Sequence, residues 1–408
     1  MQLKPLRIAF LTPEFVNEEY VPGGISSYVY RITRALKLLG HDPEVFVRSR
    51  NVPALYEFEG MRVRRVHPYE NIPLRALSRL RLERHIQLPQ TFKQLRSSLG
   101  MAKAVAERER EAPFDIVHSS DCGCPAFFVK KNRRRPLMVR CSWMGGLYLK
   151  TDGAPEVLDM KIATRMEKML IRRADIAYAP SKFAAEYYQR NDNINIETLR
   201  PPFLLDVEPS ASVPFDLPER FLLHFGTLGP IKGTDVLAEA LPIVWRQEPS
   251  FTMVWAGQAR RWTANGQEVF PNMFAEYSRL WGEHASRVIY LGEIEKPHLY
   301  AVLKRADATV LPSACDNLPN TAIESLSLGV PVIGTRGASI DELVEPGYSG
   351  DVVPIGDAKA LAEVLIRVWR RTVPWINSGF RRPAILRELD PAVAASNLIR
   401  LSGLPKSR

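Results

Sequence analysis

The chain has 408 residues, 46% of them hydrophobic and 25% charged, and its formal net charge is +10. This length suits two domains with complete cores, and the composition is ordinary for a globular protein. No apolar run is long enough for a signal peptide or a membrane span, and the four cysteines show neither a disulfide framework nor zinc spacing. We therefore expect a cytoplasmic protein. The charge indicates an anionic partner, and since no nucleic-acid-binding motif is found, a phosphorylated substrate or an anionic membrane is expected instead.

The first predicted elements are a strand at 7–12, a glycine-containing loop, a helix over 26–39 and a second strand at 43–47. Gly23 and Gly24 lie in the loop, where they let a ligand approach the backbone and the helix N-terminus. This order predicts a Rossmann-like domain. The G-x-G-x-x-G fingerprint is absent and no acidic residue ends the second strand, so a nicotinamide cofactor is not expected.

Residues 62–96 form a strongly basic segment. Two interpretations are open. The segment is either a solvated helix over the core or an interfacial helix attracted to anionic lipid, which would put the protein at the inner face of the membrane. The basic residues are Arg62, Arg64, Arg65, Arg75, Arg79, Arg81, Arg84, Lys93 and Arg96.

Two further strands, at 114–121 and 137–142, each end in polar residues. His118 lies on the first, where it either contacts substrate or serves as a structural hydrogen-bonding group. A helix is predicted over 166–174. Another begins after Ser181, whose hydroxyl suits an N-cap.

Proline-rich residues 201–214 predict a linker to a second Rossmann-like domain. A buried strand at 221–225 leads into a glycine-containing loop, and more strands follow at 252–257 and 288–292. Lys232 lies on the loop, where a lysine provides a point charge for phosphate. The other interpretation is a surface lysine in an ordinary turn.

The most informative pattern is a strand at 308–311, a loop, a helix and a strand at 330–333. Asn320 or Thr321 can cap the helix, and Gly329 suits its end. The loop therefore leads to the positive end of a helix dipole, which favours binding of a phosphate.

Two carboxylates belong to this unit, Asp316 on the loop and Glu324 on the helix. Both can reach the carboxyl edge of the sheet, where open α/β sheets bind ligands. Because carboxylates accept hydrogen bonds, the pair suits a polyhydroxylated, phosphorylated ligand. Taken singly, Asp316 could equally cap a turn and Glu324 could be a solvated helix residue.

The chain carries an acidic residue, then seven residues, then a glutamate, and Ser-Leu-Ser-Leu-Gly-Val-Pro-Val-Ile follows. This pattern resembles the E-x7-E signature of retaining GT-B glycosyltransferases, especially family 4. The resemblance implies the GT-B architecture, an α/β fold of two Rossmann-like domains facing a central cleft. The acceptor domain would span 1–201 and the nucleotide-sugar donor domain 202–375. Residues 376–408 would pack back on the first domain.

The resemblance also implies roles for individual residues. Lys232 would stabilise the diphosphate, Asp316 would bind the donor sugar, and Glu324 would bind the ribose. Thr227 stands where relatives carry an arginine, and Ser142 stands near the position of their histidine. The donor site implied by the resemblance consists of Gly24, Gly226, Thr227, Lys232, Ile294, Asp316, Asn317, Leu318, Asn320, Thr321 and Glu324, with Lys232 and Asp316 as its catalytic residues.

The activity implied by the resemblance is hexosyl transfer from a nucleoside diphosphate sugar to a hydroxyl of a glycan, a lipid-linked acceptor or a small molecule, in polysaccharide or glycoconjugate biosynthesis. The anomeric configuration would be retained. No cofactor is implied, and the sequence has no D-x-D metal motif. Two alternatives remain: a degenerate scaffold that binds sugar nucleotides or glycans, which Thr227 and Ser142 favour, and a GT-B sugar-nucleotide epimerase.

Overall fold

The structure is a computed structural model that describes residues 5–18, 23–49, 51–69, 88–263, 266–269 and 273–404. The described chain forms two compact units. The first consists of Met1–Gly146, Glu156–Leu204 and Glu388–Arg408. The second consists of Leu147–Pro155 and Leu205–Arg387. The second unit thus continues beyond residue 375, the end predicted for the donor domain, and the return to the first unit begins at Glu388 instead of 376.

Strands and helices are numbered in chain order. The strands are β1 (Arg7–Thr12), β2 (Asp42–Arg48), β3 (Leu55–Phe58), β4 (Met61–Val66), β5 (Ile116–Ser120), β6 (Leu137–Arg140), β7 (Ile176–Ala179), β8 (Glu197–Thr198), β9 (Leu222–Phe225), β10 (Met253–Ala256), β11 (Arg260–Thr263), β12 (Gly266–Val269), β13 (Val288–Tyr290), β14 (Thr309–Leu311), β15 (Val332–Arg336) and β16 (Gly350–Pro354). The helices are α1 (Gly24–Leu38), α2 (Pro89–Glu111), α3 (Gly145–Thr151), α4 (Leu158–Arg173), α5 (Lys182–Asp192), α6 (Thr234–Trp245), α7 (Met273–Trp281), α8 (Lys296–Arg305), α9 (Asn320–Ser327), α10 (Ala358–Trp369), α11 (Pro374–Asn377) and α12 (Pro391–Leu401).

The first unit is built on an eight-stranded sheet in the order β3-β4-β2-β1-β5-β6-β7-β8. Its pairs are parallel except β3 with β4. Helix α1 buries Ile32 and Leu36, four residues apart on one face, against the sheet. Ala395 and Leu398 of α12 join the same core, and each large apolar side chain buried there contributes about 1.5–3 kcal/mol.

The second unit has a six-stranded parallel sheet in the order β13-β10-β9-β14-β15-β16. Every residue of β9, β10 and β14 is buried, as expected for a parallel sheet covered on both faces. The strand order reverses between β9 and β14. Ligands of open parallel sheets bind beyond the carboxyl ends of the strands at such a reversal.

Ser181 caps helix α5 by accepting a hydrogen bond from the Ala184 N–H, which confirms its predicted role. The helix predicted over 166–174 begins earlier, at Leu158, and ends at Arg173. In the missed turns Leu158, Met160 and Ile162 alternate with polar residues, a period of two that does not indicate a helix.

The prediction of one basic helix over 62–96 was wrong at its start. Residues 62–66 belong to β4, where arginines alternate with buried apolar residues. Arg62 binds the Asp42 carboxylate at 2.6 Å, and Arg64 binds Glu44 at 3.2 Å. Residues 70–87 lie outside the described residues. Within the described part of the chain, no helix is both long and apolar enough to span a bilayer.

Candidate active site

The loops of the candidate site all leave one edge of the second sheet. Because β9, β10, β13 and β14 are parallel, their carboxyl ends meet there. The loop after β9 is joined to the end of β10, since the Gly226 N–H donates to the Ala256 oxygen at 3.0 Å. The Gly257 N–H donates to the Gly292 oxygen at 2.6 Å, which brings in the loop that carries Ile294.

Two glycines let the loop after β9 lie close to its neighbours. Gly226 has a φ of +114°, and a Cβ there would lie 3.1 Å from a methyl group of Thr321. Gly233 has a φ of +69°, and its Cβ would lie 1.9 Å from the Pro312 oxygen. Both positions need glycine for conformation, and Gly233 needs it for space as well. The loop is therefore held against the loop after β14 and the first turn of α9.

Lys232 and Asp316, which are 84 positions apart in sequence, form an ion pair through Nζ and Oδ2. The lysine side chain is a quarter exposed and the aspartate side chain is nearly buried. The other oxygen of Asp316 accepts the Asn317 N–H at 2.9 Å, which fixes the carboxylate. The two residues predicted to be catalytic are thus brought together at the edge of the sheet.

Leu318 shapes the entry to helix α9. It has a φ of +60°, and its N–H donates to the Ser339 hydroxyl at 2.8 Å. Pro319 is the N-cap residue and provides no side-chain acceptor, so the prediction that Asn320 or Thr321 caps this helix was wrong. A helix that begins without a side-chain cap offers its first N–H groups to an anion.

Glu324 is buried on helix α9, with 7% of its surface exposed. The fully buried Tyr300 donates its hydroxyl proton to Oε1 of Glu324 at 3.3 Å. The interpretation of Glu324 as a solvated helix residue was therefore wrong. A buried carboxylate held by a tyrosine is suited to accept hydrogen bonds from a ligand.

Glu324→Ala should weaken binding of nucleoside diphosphates about tenfold or more, because it removes a charged hydrogen-bond acceptor worth about 1.5–3 kcal/mol. The measurement is a calorimetric titration with UDP, GDP and ADP. Ser325→Ala is the matched control, since the Ser325 hydroxyl donates to the Thr321 oxygen of its own helix. Equal affinities for the glutamate variant and the wild type would remove Glu324 from the site.

His224 supports the site, although no motif of the sequence predicts a role for it. Its Nδ1 lies 2.7 Å from the Val310 oxygen and its Nε2 lies 3.0 Å from the Thr234 hydroxyl, which accepts the Gly229 N–H at 2.8 Å. A carbonyl can only accept, so Nδ1 carries the proton and the threonine donates to Nε2. Burial lowers the pKa of His224 to about 4, so the ring is neutral. The only sequence signal was a histidine inside an apolar strand.

In the first unit, Gly24 begins helix α1 and a Cβ there would meet open space. Glu14 occupies part of this helix terminus, because its Oε1 accepts the Ser26 N–H at 3.0 Å. Burial raises the pKa of Glu14. An internal carboxylate thus accepts an N–H group at the helix N-terminus that the Gly-Gly loop was expected to open to a ligand.

His118 is a structural hydrogen-bonding group, as one of its two interpretations had it. It is 2% exposed, and its Nε2 lies 2.6 Å from the Tyr178 hydroxyl, which in turn lies 2.7 Å from the Tyr28 hydroxyl. Burial lowers the pKa of His118 to about 3. Arg140 lies over the Tyr28 ring at 3.9 Å and donates to the Ser142 hydroxyl. Ser142 therefore orients an arginine at the carboxyl edge of the first sheet.

Two family models match the chain, one mainly in the first unit and one in the second. The family model described as "Glycosyltransferase Family 4" matches residues 22–201, and the one described as "Glycosyl transferases group 1" matches residues 219–371. A D-inositol 3-phosphate glycosyltransferase of Thermobispora bispora is 24% identical over 84% of this chain and 82% of its own length. The lipopolysaccharide core biosynthesis mannosyltransferase LpsB of Rhizobium meliloti is 28% identical over 49% of this chain and 57% of its own.

Solved structures match nearly the whole chain. Sucrose-phosphate synthase from Thermosynechococcus elongatus has a TM-score of 0.70 at 18% identity, over 97% of this chain and 98% of its own. Anabaena HepE in complex with UDP has a TM-score of 0.67 at 17% identity, over 98% of this chain and 100% of its own. At these identities the likeness shows the fold alone, which is GT-B, as predicted.

Proposed function

The chain belongs to the family 4 glycosyltransferases of the GT-B fold, and on that premise we propose that it transfers a hexosyl group from a nucleoside diphosphate sugar to an acceptor hydroxyl with retention of configuration. Its glycosyltransferase activity serves glycoconjugate or polysaccharide biosynthesis. The structures of Anabaena HepE with UDP and with UDP-glucose support a nucleotide sugar as the donor.

The observation that carries the proposal is the Lys232–Asp316 ion pair at the edge where the strand order of the second sheet reverses, followed on helix α9 by the buried Glu324. Two carboxylates and a lysine beside an uncapped helix N-terminus form a site for a ligand with both hydroxyls and phosphates. Lys232 and the dipole of α9 stabilise the diphosphate as it leaves, which supports transfer without a metal ion.

The other residues bind and orient the donor. Glu324, held by Tyr300, accepts hydrogen bonds from the ribose hydroxyls, and Asp316 accepts them from the donor sugar. The loop with Ile294 binds the base through its backbone. The acceptor attacks on the face from which the diphosphate departs. Among the described residues, no side chain is assigned the role of a nucleophile.

A thermal-shift screen of UDP-, GDP- and ADP-sugars tests the donor class. The stabilising donor is then incubated with candidate acceptors, with and without EDTA, and the anomeric configuration of the product is determined by NMR. We expect transfer with retention, at a rate unchanged by EDTA. Binding without transfer or hydrolysis would indicate a scaffold. Conversion of the free sugar nucleotide to its epimer would indicate an epimerase.

We also propose that the basic segment 62–96 attracts the protein to anionic lipid. The support comes from the sequence alone, because the central arginines of this segment lie outside the described residues. They are Arg75, Arg79, Arg81 and Arg84. Binding to phosphatidylserine vesicles should fall steeply with salt, because the Debye length shrinks from about 10 Å at 0.1 M to about 3 Å at 1 M.

Replacing those four arginines with glutamine should abolish sedimentation with the vesicles at low salt. Neutral phosphatidylcholine vesicles are the control. Failure of the wild type to bind anionic vesicles at low salt would remove the membrane from its partners.

A further inference from the structure

The loop after β9 has an uncharged, exposed residue, Thr227, at its beginning. In the proposed function this loop contacts the diphosphate, and Lys232 is the cation that it carries. A second cation would have to come from another segment that is fixed to the loop.

The segment after β10 is fixed to this loop by a parallel β-bridge between Leu228 and Ala259. The Leu228 N–H donates to the Gln258 oxygen at 2.9 Å, and the Arg260 N–H donates to the Leu228 oxygen at 2.8 Å. Leu228 and Ala259 are both buried in the core of the second unit. The bridge thus ties the backbone of Arg260 directly to the proposed phosphate loop.

The register of the bridge decides which side chains are neighbours. Side chains alternate between the two faces of an extended chain, so the residues flanking the buried pair lie on the face away from the core. On that face Thr227 is the register neighbour of Gln258, and Gly229 is the neighbour of Arg260. The second pairing agrees with a close approach, since a Cβ on Gly229 would lie 2.4 Å from the Arg260 oxygen.

The guanidinium of Arg260 is turned toward Gln258. Its Nε donates to the Gln258 side-chain oxygen at 2.8 Å, and its Nη2 donates to the same atom. Among the side chains that the structure describes, none places a carboxylate within ion-pair distance of it. The neutral amide therefore orders the guanidinium without neutralising it, and a planar, pre-ordered guanidinium binds phosphate oxygens well.

We propose that Arg260 is a second cationic residue for the diphosphate of the donor. Its guanidinium is oriented by Gln258, the register neighbour of Thr227. This inference rests on the proposed function and adds a residue to its site. Together with Lys232 it gives the phosphate loop two positive charges, one from the loop itself and one from the segment bridged to it.

The test compares affinities for nucleoside diphosphates and monophosphates, titrated calorimetrically in EDTA with UDP and UMP, GDP and GMP, and ADP and AMP. Arg260→Gln should lower the ratio of diphosphate to monophosphate affinity about tenfold, as expected for a lost charged hydrogen bond. Gln258→Glu should lower the ratio as well, because its carboxylate would neutralise the guanidinium. Thr227→Arg/Arg260→Gln should restore it.

The matched control is Arg246→Gln, which removes an exposed arginine at the end of helix α6 and should leave the ratio unchanged. Thermal unfolding checks that each variant is folded. A wild-type ratio in Arg260→Gln, or an equal fall in Arg246→Gln, would overturn the inference while leaving the proposed function intact. Absence of wild-type binding to all three diphosphates would overturn the proposed function and this inference with it.

Discussion

Lys232→Ala should lower turnover at saturating donor on the order of 10²-fold or more, by analogy with the loss of an oxyanion-hole donor. Negative charge builds on the diphosphate as the glycosidic bond breaks, and a fixed lysine meets that charge without reorganising. Its contribution is greater in the transition state than in the bound donor, so the rate should fall more than the affinity. The measurement is a steady-state assay with a parallel titration of the donor.

The ion pair with Asp316 requires a control, because alanine at 232 leaves a nearly buried carboxylate without its cation. Thermal unfolding of the variant separates a loss of folding from a loss of catalysis. Thr227→Arg/Lys232→Ala returns a positive charge to the same loop and should recover part of the rate. A near-wild-type rate for Lys232→Ala alone would show that another group neutralises the leaving diphosphate.

Acid should destabilise the second unit through His224. Its pKa is about 4 in the folded protein, because the ring is buried, and 6.5 is its ordinary value. As the pH falls below 6.5 the unfolded chain takes up a proton that the folded protein does not, so stability is lost between about pH 6.5 and pH 4. The loss should reach about 3 kcal/mol, and no further loss from this group is expected below pH 4.

Urea unfolding followed by tryptophan fluorescence measures this loss, since every tryptophan except Trp143 belongs to the second unit. The ring of Trp255 lies 5.5 Å from that of His224 and reports on the same core. His224→Gln, which does not titrate in this range, should lose about 3 kcal/mol less than the wild type from pH 7 to pH 4. Identical pH dependence in the two proteins would show that His224 does not govern the acid sensitivity.

Local patterns predicted most of the fold. Uninterrupted apolar runs located β9, β10 and β14, and the three- and four-residue period located α1. The helical period gave a wrong prediction in β4, where ion pairs explain the polar residues and a solvated helix face does not. In β4 Arg62 and Arg64 pair with carboxylates of β2, and no local signal distinguishes that from a charged helix face.

The fixed spacing of Asp316 and Glu324 identified the centre of the candidate site, since both belong to one strand-loop-helix unit. Contacts over long sequence separations escaped prediction. His224 acts through Val310, and Arg260 is tied to Leu228, so their positions depend on how strands and loops meet. Glu14 at the start of α1 is a similar case, because nothing local relates it to Ser26.

Helix α12 has a consequence for the order in which this protein is made. Ala395 and Leu398 complete the core beneath α1, yet they follow the whole second unit along the chain. During synthesis, the nascent first unit therefore waits with part of the α1 surface uncovered until residues near 398 have left the ribosome. The second unit, whose last segment ends at Arg387, can fold earlier. The first unit is thus the first to be synthesised and the last to be completed. Until residues near 398 are available, its exposed apolar surface can bind chaperones or aggregate.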